Sequence, residues 1–187
     1  MRLRRLRAIR SGVLRVLSHG AVALVGVLLD QLSKGWAERA LFGRPSQTVI
    51  DGVFQLRLAR NPGAFFSLGA GLDPEPRRMF FVAASALAIG LIAVLFFRAG
   101  PTERRLRWAL TLLASGAVGN LVDRIRDGRV IDFLHLHAGD FFHWATFNVA
   151  DILITAGLVL LVLDLWKSTP QPNARGPLEP GLSEAPR

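Results

Sequence analysis

Long apolar runs separated by polar stretches dominate the chain, and the runs set its class. Four of them, over residues 16–31, 79–97, 106–122 and 147–166, read as spanning helices. Each approaches the roughly 17–25 residues needed to cross about 30 Å of hydrocarbon. Trp36, Trp108, Trp144 and Trp166 fall at or near run ends, where interfacial aromatic anchors belong. Between the first two runs, residues 34–78 are too many for a simple connector. Within them Thr48-Val49-Ile50, the turn signal Asp51-Gly52 and Val53-Phe54-Gln55-Leu56-Arg57-Leu58 predict a hairpin with Phe54, Leu56 and Leu58 on one face. The paired Phe65-Phe66 that follow predict a segment lying at the membrane interface. Asp73-Pro74-Glu75-Pro76 reads as a breaker before the second run. Residues 124–145 form the other long loop, and residues 130–136 fit a strand beside the hairpin. The expected fold is an all-α membrane protein. It has four transmembrane helices, a small extracytoplasmic β-hairpin or sheet platform, and an interfacial loop segment. The expected division is a basic N-terminal segment (1–15), a four-helix domain (16–166) and a disordered tail (167–187).

Composition sharpens this. Hydrophobic residues make up 51% of the chain and cluster in the runs, which excludes an ordinary soluble domain. The net charge of +9 is local. Arg2, Arg4, Arg5 and Arg7 precede the first run, and Arg98, Arg104, Arg105 and Arg107 occupy the turn between the second and third. Positive-inside reasoning places both groups in the cytoplasm, and four spans return the C-terminus there. Arginines flanking spans, with no accompanying motif, argue against nucleic acid as a partner. The first run is expected to stay as an uncleaved span, since no small-residue cleavage site leads into a soluble domain. The absence of cysteine excludes thiol nucleophiles, disulfide exchange and cysteine-ligated metals.

On this topology the unusual polar residues converge. Asp30, Gln31 and Lys34 close the first span; Asn120, Asp123 and Arg124 close the third; Asn148 and Asp151 open the fourth; Asn61 and Asp132 lie in the outer loops. All fall near one membrane face. Asp30 and Lys34 stand four apart, Asn120, Asp123 and Arg124 at i, i+3 and i+4, and Asn148, Asp151, Ile152 and Thr155 likewise, so each helix presents a polar patch that should turn inward. Singly, most have bland readings: a helix-end ion pair for Asp30 and Lys34, a local Asp123–Arg124 bridge, interhelical glue for the asparagines, a dipole-favoured charge at Asp151. Their gathering at one face is what those readings leave unexplained. His135, His137 and His143, with Asp140, have a conceivable ligand spacing, but no His-Glu-x-x-His pattern is present and no metal is expected.

No nucleophile elbow is present either. Two carboxylates suffice for peptide hydrolysis: close together in a poorly solvated site they cannot both ionise and share a proton. The charged one takes a proton from water while the protonated one hydrogen-bonds the scissile carbonyl. Asp132 and Asp151, bracketing the second outer loop, are the candidates. A proton-coupled transporter or channel subunit, with Asp30, Asp123, Asp132 and Asp151 as a relay, is the rival; a relay should spread across the bilayer depth, and these do not.

Five blocks carry a family resemblance. They are Asp30-Gln31-Leu32-Ser33-Lys34, Asn61-Pro62-Gly63-Ala64-Phe65-Phe66-Ser67, Gly119-Asn120-Leu121-Val122-Asp123-Arg124, Gly128-Arg129-Val130-Ile131-Asp132-Phe133 and Phe147-Asn148-Val149-Ala150-Asp151. In this order the sequence resembles bacterial signal peptidase II, an inner-membrane aspartyl peptidase. The resemblance implies Asp132 and Asp151 as catalytic dyad. It implies supporting or substrate-contacting roles for Asp30, Lys34, Asn61, Gly116, Asn120, Asp123, Arg124, Asn148 and Ala150. It also implies removal of signal peptides from prolipoproteins before a diacylglyceryl-modified cysteine, without metal or organic cofactor. Membrane lipids and globomycin-type inhibitors are the other implied partners. His143-Trp144-Ala145-Thr146 departs from the proline-containing approach expected before the fourth helix.

Overall fold

The computed structural model describes residues 2–63, 73–100, 102–139 and 141–168, with side chains described between residues 12 and 166. The elements in order are α1 (Arg2–Leu41), β1 (Gln47–Ile50), β2 (Phe54–Asn61), α2 (Pro74–Arg98), α3 (Arg104–Asp127), β3 (Val130–Ala138), β4 (Phe142–His143) and α4 (Val149–Ser168). The interfacial Phe65-Phe66 segment, Asp140 and the tail from residue 169 lie outside the described residues.

Among the described residues, three helical segments are long and apolar enough to cross a membrane: Gly12–Leu41, Pro74–Arg98 and Val149–Trp166. The expectation of four is met in helix number but not in apolarity. α3 has 24 residues but carries Arg104, Arg105, Arg107, Asn120, Asp123 and Arg124. It packs against α1, α2 and α4 together, so Asn120, Asp123 and Arg124 meet protein where a lipid-facing helix would meet hydrocarbon, while Arg104 and Arg105 at its start are exposed. Across much of the bundle the usual solvation pattern is inverted. Asp30, Lys34, Asn120, Asp123 and Asn148 are buried, while Leu87, Leu158 and Leu165 are exposed. Close approach of α3 to α4 depends on Gly116, where a Cβ would overlap the Ala150 carbonyl.

Several helix boundaries differ from the sequence expectation: α1 already begins at Arg2, before residue 16, and α3 runs past residue 122 to Asp127. α1 does not stop near Gln31 but runs on to Leu41, because Ala37 and Leu41 pack with Phe133 in a buried cluster. The first outer loop therefore begins after Leu41. α2 begins at Pro74, so the proline pair forms its first turn, where a missing N–H costs nothing. The arginines assigned to the α2–α3 turn belong to the helix ends: Arg98 closes α2, and Arg104, Arg105 and Arg107 open α3.

The hairpin and the third strand form as the pattern predicts, and the short β4 extends them to an antiparallel sheet in the order β1-β2-β3-β4. Leu56 and Leu58 both pack on the Ala37, Leu41 and Phe133 cluster. The β2–β3 register slips between Leu56, opposite Leu134, and Ala59, opposite Asp132. That one-residue bulge carries Asn61 to the end of the strand, opposite Val130 and within reach of Asp132.

Candidate active site

Asp132 sits on β3 and Asp151 in the first turn of α4, and Asn148 joins them. The Asn148 side-chain Nδ2 donates to Asp132 Oδ1 at 2.6 Å. Its backbone N–H donates to Asp151 Oδ2 at 3.2 Å, and its Oδ1 accepts from the Asp151 N–H at 2.9 Å. The last two bonds are a reciprocal cap that starts α4 and fixes the Asp151 carboxylate in one step. Asn120 Nδ2 holds the other Asp151 oxygen at 2.9 Å, and Asn61 Nδ2 holds the other Asp132 oxygen at 3.3 Å. Asn61 is itself turned by accepting the Gly63 N–H at 3.1 Å. Every carboxylate oxygen thus has one amide donor, and the remaining lone pairs face a cleft.

Behind the aspartates lies a buried ion cluster. Lys34 Nζ donates to Asp30 Oδ2 at 2.8 Å, Asp123 Oδ2 at 2.8 Å and Asn120 Oδ1 at 2.9 Å, so all three ammonium hydrogens are used. Asp30 turns its other oxygen to the Ala150 N–H at 2.8 Å, placing a negative charge at the α4 N-terminus. Asp123 Oδ2 also accepts the Ile131 N–H at 3.2 Å, which ties the end of α3 to the start of β3. The cluster orients Asn120, and Asn120 orients Asp151 and Asn148.

The cleft has a volume of about 700 Å³. Asp132, Asp151, Asn61, Asn120 and Arg124 line it at the polar end, and Ser85, Ala88, Ala117 and Ile154 extend it along α2, α3 and α4. Arg124 lies over the Phe81 ring at 5.6 Å and donates to the Asn120 carbonyl at 3.3 Å. Burial pushes the Asp132 carboxyl up to about 7, and the neighbouring Asp151 charge adds to this. The amides of Asn148 and Asn61 and the Lys34 ammonium oppose it.

The structure brings all eleven sequence-predicted site residues into this region and sorts them. Five line the cleft; Asp30, Lys34, Asp123, Asn148, Gly116 and Ala150 stand behind it. Asp123 pairs with Lys34 rather than with its neighbour Arg124. Sequence reasoning placed Gln31 among the converging polar residues without giving it a role in the site, and passed over Gly119. Gln31 Nε2 donates to Asp123 Oδ1 at 2.9 Å, and a Cβ on Gly119 would sit 2.6 Å from Asp30 Oδ2. Both lie inside the recognised blocks, and Gln31 next to Asp30 was the available signal. His135, His137 and His143 gather with ring centroids 5.5–5.8 Å apart. Among the described residues, no group of three His, Cys, Asp or Glu is arranged to hold a metal ion.

Fold and site define a class: a helical membrane protein with two aspartates held side by side at one end of its bundle. A model of the signal peptidase (SPase) II family matches residues 22–167. The lipoprotein signal peptidase of Desulforapulum autotrophicum is 43% identical over 141 residues, which is 75% of this chain and 86% of that protein. That of Geobacter sulfurreducens is 43% identical over 145 residues, 78% of this chain and 89% of its own length. A bacterial membrane enzyme solved by the in meso method at 1.9 Å resolution superposes with a TM-score of 0.71 at 27% identity, covering 81% of this chain and 94% of that one. The chain belongs to the signal peptidase II family, whose members are aspartic peptidases.

Proposed function

We propose that this protein removes signal peptides from prolipoproteins, cutting on the N-terminal side of a diacylglyceryl-modified cysteine, with Asp132 and Asp151 as the catalytic pair. The observation that carries the assignment is the Asn148 bridge, which bonds both carboxylates from one residue. The pair shares one proton. The ionised carboxylate takes a proton from water as its oxygen attacks the scissile carbonyl. The other donates a hydrogen bond to the carbonyl oxygen as charge builds there. Collapse of the tetrahedral species breaks the C–N bond, and the proton taken from water passes to the leaving amine. Asn61, Asn120 and Arg124 contact the substrate from the cleft walls.

The apolar length of the cleft along α2, α3 and α4 suits a signal helix entering from the bilayer. In this reading α3 is a fourth transmembrane helix shielded by the other three. Both termini are cytoplasmic in the inner membrane, and the site opens near the extracytoplasmic face. Globomycin-type inhibitors occupy the same cleft. Gathering of the polar groups at one end of the bundle does not suit a transmembrane proton relay, and family membership gives the transporter reading no support.

The test is cleavage of a prolipoprotein with and without its diacylglyceryl group by the purified enzyme, with mass measurement of the product. The lipidated substrate should be cut immediately before the modified cysteine; equal cutting of the unlipidated form would refute the lipid requirement. The pH profile supplies a second prediction. Asp132 releases its proton near 7, so kcat/KM should fall on the alkaline side with a midpoint close to 7. A rate flat from pH 6 to 9 would rule out a shared proton.

A further inference from the structure

About 22 Å along α1 from the aspartate site, counting 15 residues from Asp30 back to Arg15 at 1.5 Å each, a second cavity opens at the other end of the bundle. It holds about 290 Å³ and is lined by Gly12, Arg15, Val16, Phe96, Phe97 and Arg107. Two guanidinium-bearing residues from different helices, α1 and α3, thus face a space floored by two phenylalanines. Arg107 is fixed there because its Nη2 donates to the Ala99 carbonyl at 2.6 Å, closing the end of α2. One donor group on that carbonyl leaves the rest of its planar fork available. Phe96 is held by the buried His19 ring at 5.4 Å, and His19 lies 4.4 Å from Trp108.

An independent feature favours an anion at this end. The first turn of α3 contains no acidic residue, and Glu103 at its N-cap makes no side-chain cap. The Glu103 carboxylate instead takes the Gly100 N–H. The partial positive charge of the α3 N-terminus is therefore compounded by Arg104, Arg105 and Arg107. Among the described residues that line the cavity, none is acidic.

The geometry points to a binding site for the phosphate of an anionic phospholipid, with Arg15 and Arg107 on the phosphate and an acyl chain along Phe96 and Phe97. A basic pocket between membrane helices, at the arginine-rich end of the bundle and with an apolar floor, matches a phosphodiester joined to hydrocarbon. A free phosphate would use the arginines but leave the phenylalanine floor uncovered, so the lipid is the occupant. The site is independent of the peptidase reading.

The test uses the full chain in detergent, titrated with phosphatidylglycerol, phosphatidylcholine or inorganic phosphate. The readouts are melting temperature and native mass spectrometry of retained lipid. Phosphatidylglycerol should raise the melting temperature and be retained; the other two should not. At roughly 1 kcal/mol per basic residue, Arg15→Gln with Arg107→Gln should raise the half-saturating lipid concentration about thirtyfold. A control with the same loss of charge, Arg98→Gln with Arg105→Gln, should stay within about threefold of wild type. If Arg107→Gln fails to fold through loss of its bond to Ala99, Arg15→Gln alone should give about a fivefold change. Equal weakening by the control would show diffuse surface charge and overturn the site. A response to phosphatidylcholine equal to that for phosphatidylglycerol, or to inorganic phosphate, would overturn the anionic lipid assignment.

Discussion

Asp132→Asn and Asp151→Asn should each lower the rate of prolipoprotein cleavage by about three to four orders of magnitude, at the upper end of what one positioned acid or base contributes. An amide keeps the shape and can still accept the Asn148 or Asn120 hydrogen bond, but it can neither take a proton from water nor share one. The two variants should be about equally inactive, because a pair that holds one proton works as a unit. Stability should move the other way for Asp132. Its folded carboxyl holds the proton up to about 7, against about 3.9 for an unfolded aspartate. The folded state therefore binds that proton more tightly. The stability linked to it is fully present below about pH 4 and is lost as pH rises through 7. Asp132→Asn removes this dependence, so its melting temperature should gain on wild type between pH 5 and 8. Initial rates with a lipidated substrate and melting curves across that range check both parts. More than a tenth of wild-type activity in either variant would end the dyad assignment.

Lys34→Met should cost the protein about 3–5 kcal/mol, the usual penalty for removing one member of a buried ion pair. Lys34 is 1% exposed and its ammonium is the shared partner of Asp30 and Asp123. Without it, two buried carboxylates and the Asn120 oxygen lose their common donor. Activity should fall with stability, since Asn120 then loses one of the bonds that aim it at Asp151. Adding Asp123→Asn to Lys34→Met should recover part of the stability, because the amide relieves one uncompensated charge and can still accept the Ile131 N–H. Melting of the full chain in lipid discs separates these outcomes. A single Lys34→Met variant as stable as wild type would show that the cluster contributes nothing to the fold.

The residues that make the site were legible in the sequence because charge and amide groups are so costly inside an apolar bundle that their positions stand out. Helical spacing correctly paired Asp30 with Lys34. What it could not show is the partner of Asp123: adjacency suggested Arg124, whereas the third dimension supplied Lys34 from α1. The same charges misled the reading of α1. Asp30 and Lys34 look like a helix end at a membrane surface, yet once each is satisfied inside the protein nothing stops the helix, and it continues to Leu41. The hairpin was legible from alternation and an Asp-Gly turn. The bulge between Leu56 and Ala59 was not, because a register slip is decided by β3 and leaves no mark on the β2 pattern. β4 spans two residues, too few for any periodicity to register.

The reciprocal cap at Asn148 has a wider consequence. The bonds that begin α4 are the same bonds that hold Asp151, and the amide that caps the helix also reaches Asp132. Most enzymes can lose their working geometry through a local opening far cheaper than unfolding the domain. Here the first turn of α4 cannot fray without releasing a carboxylate. That turn is further clamped by Asp30 on the Ala150 N–H and by Gly116 seated under the Ala150 carbonyl. Fraying at this point therefore dismantles the site directly: the carboxylate geometry and the helix start are lost in the same step.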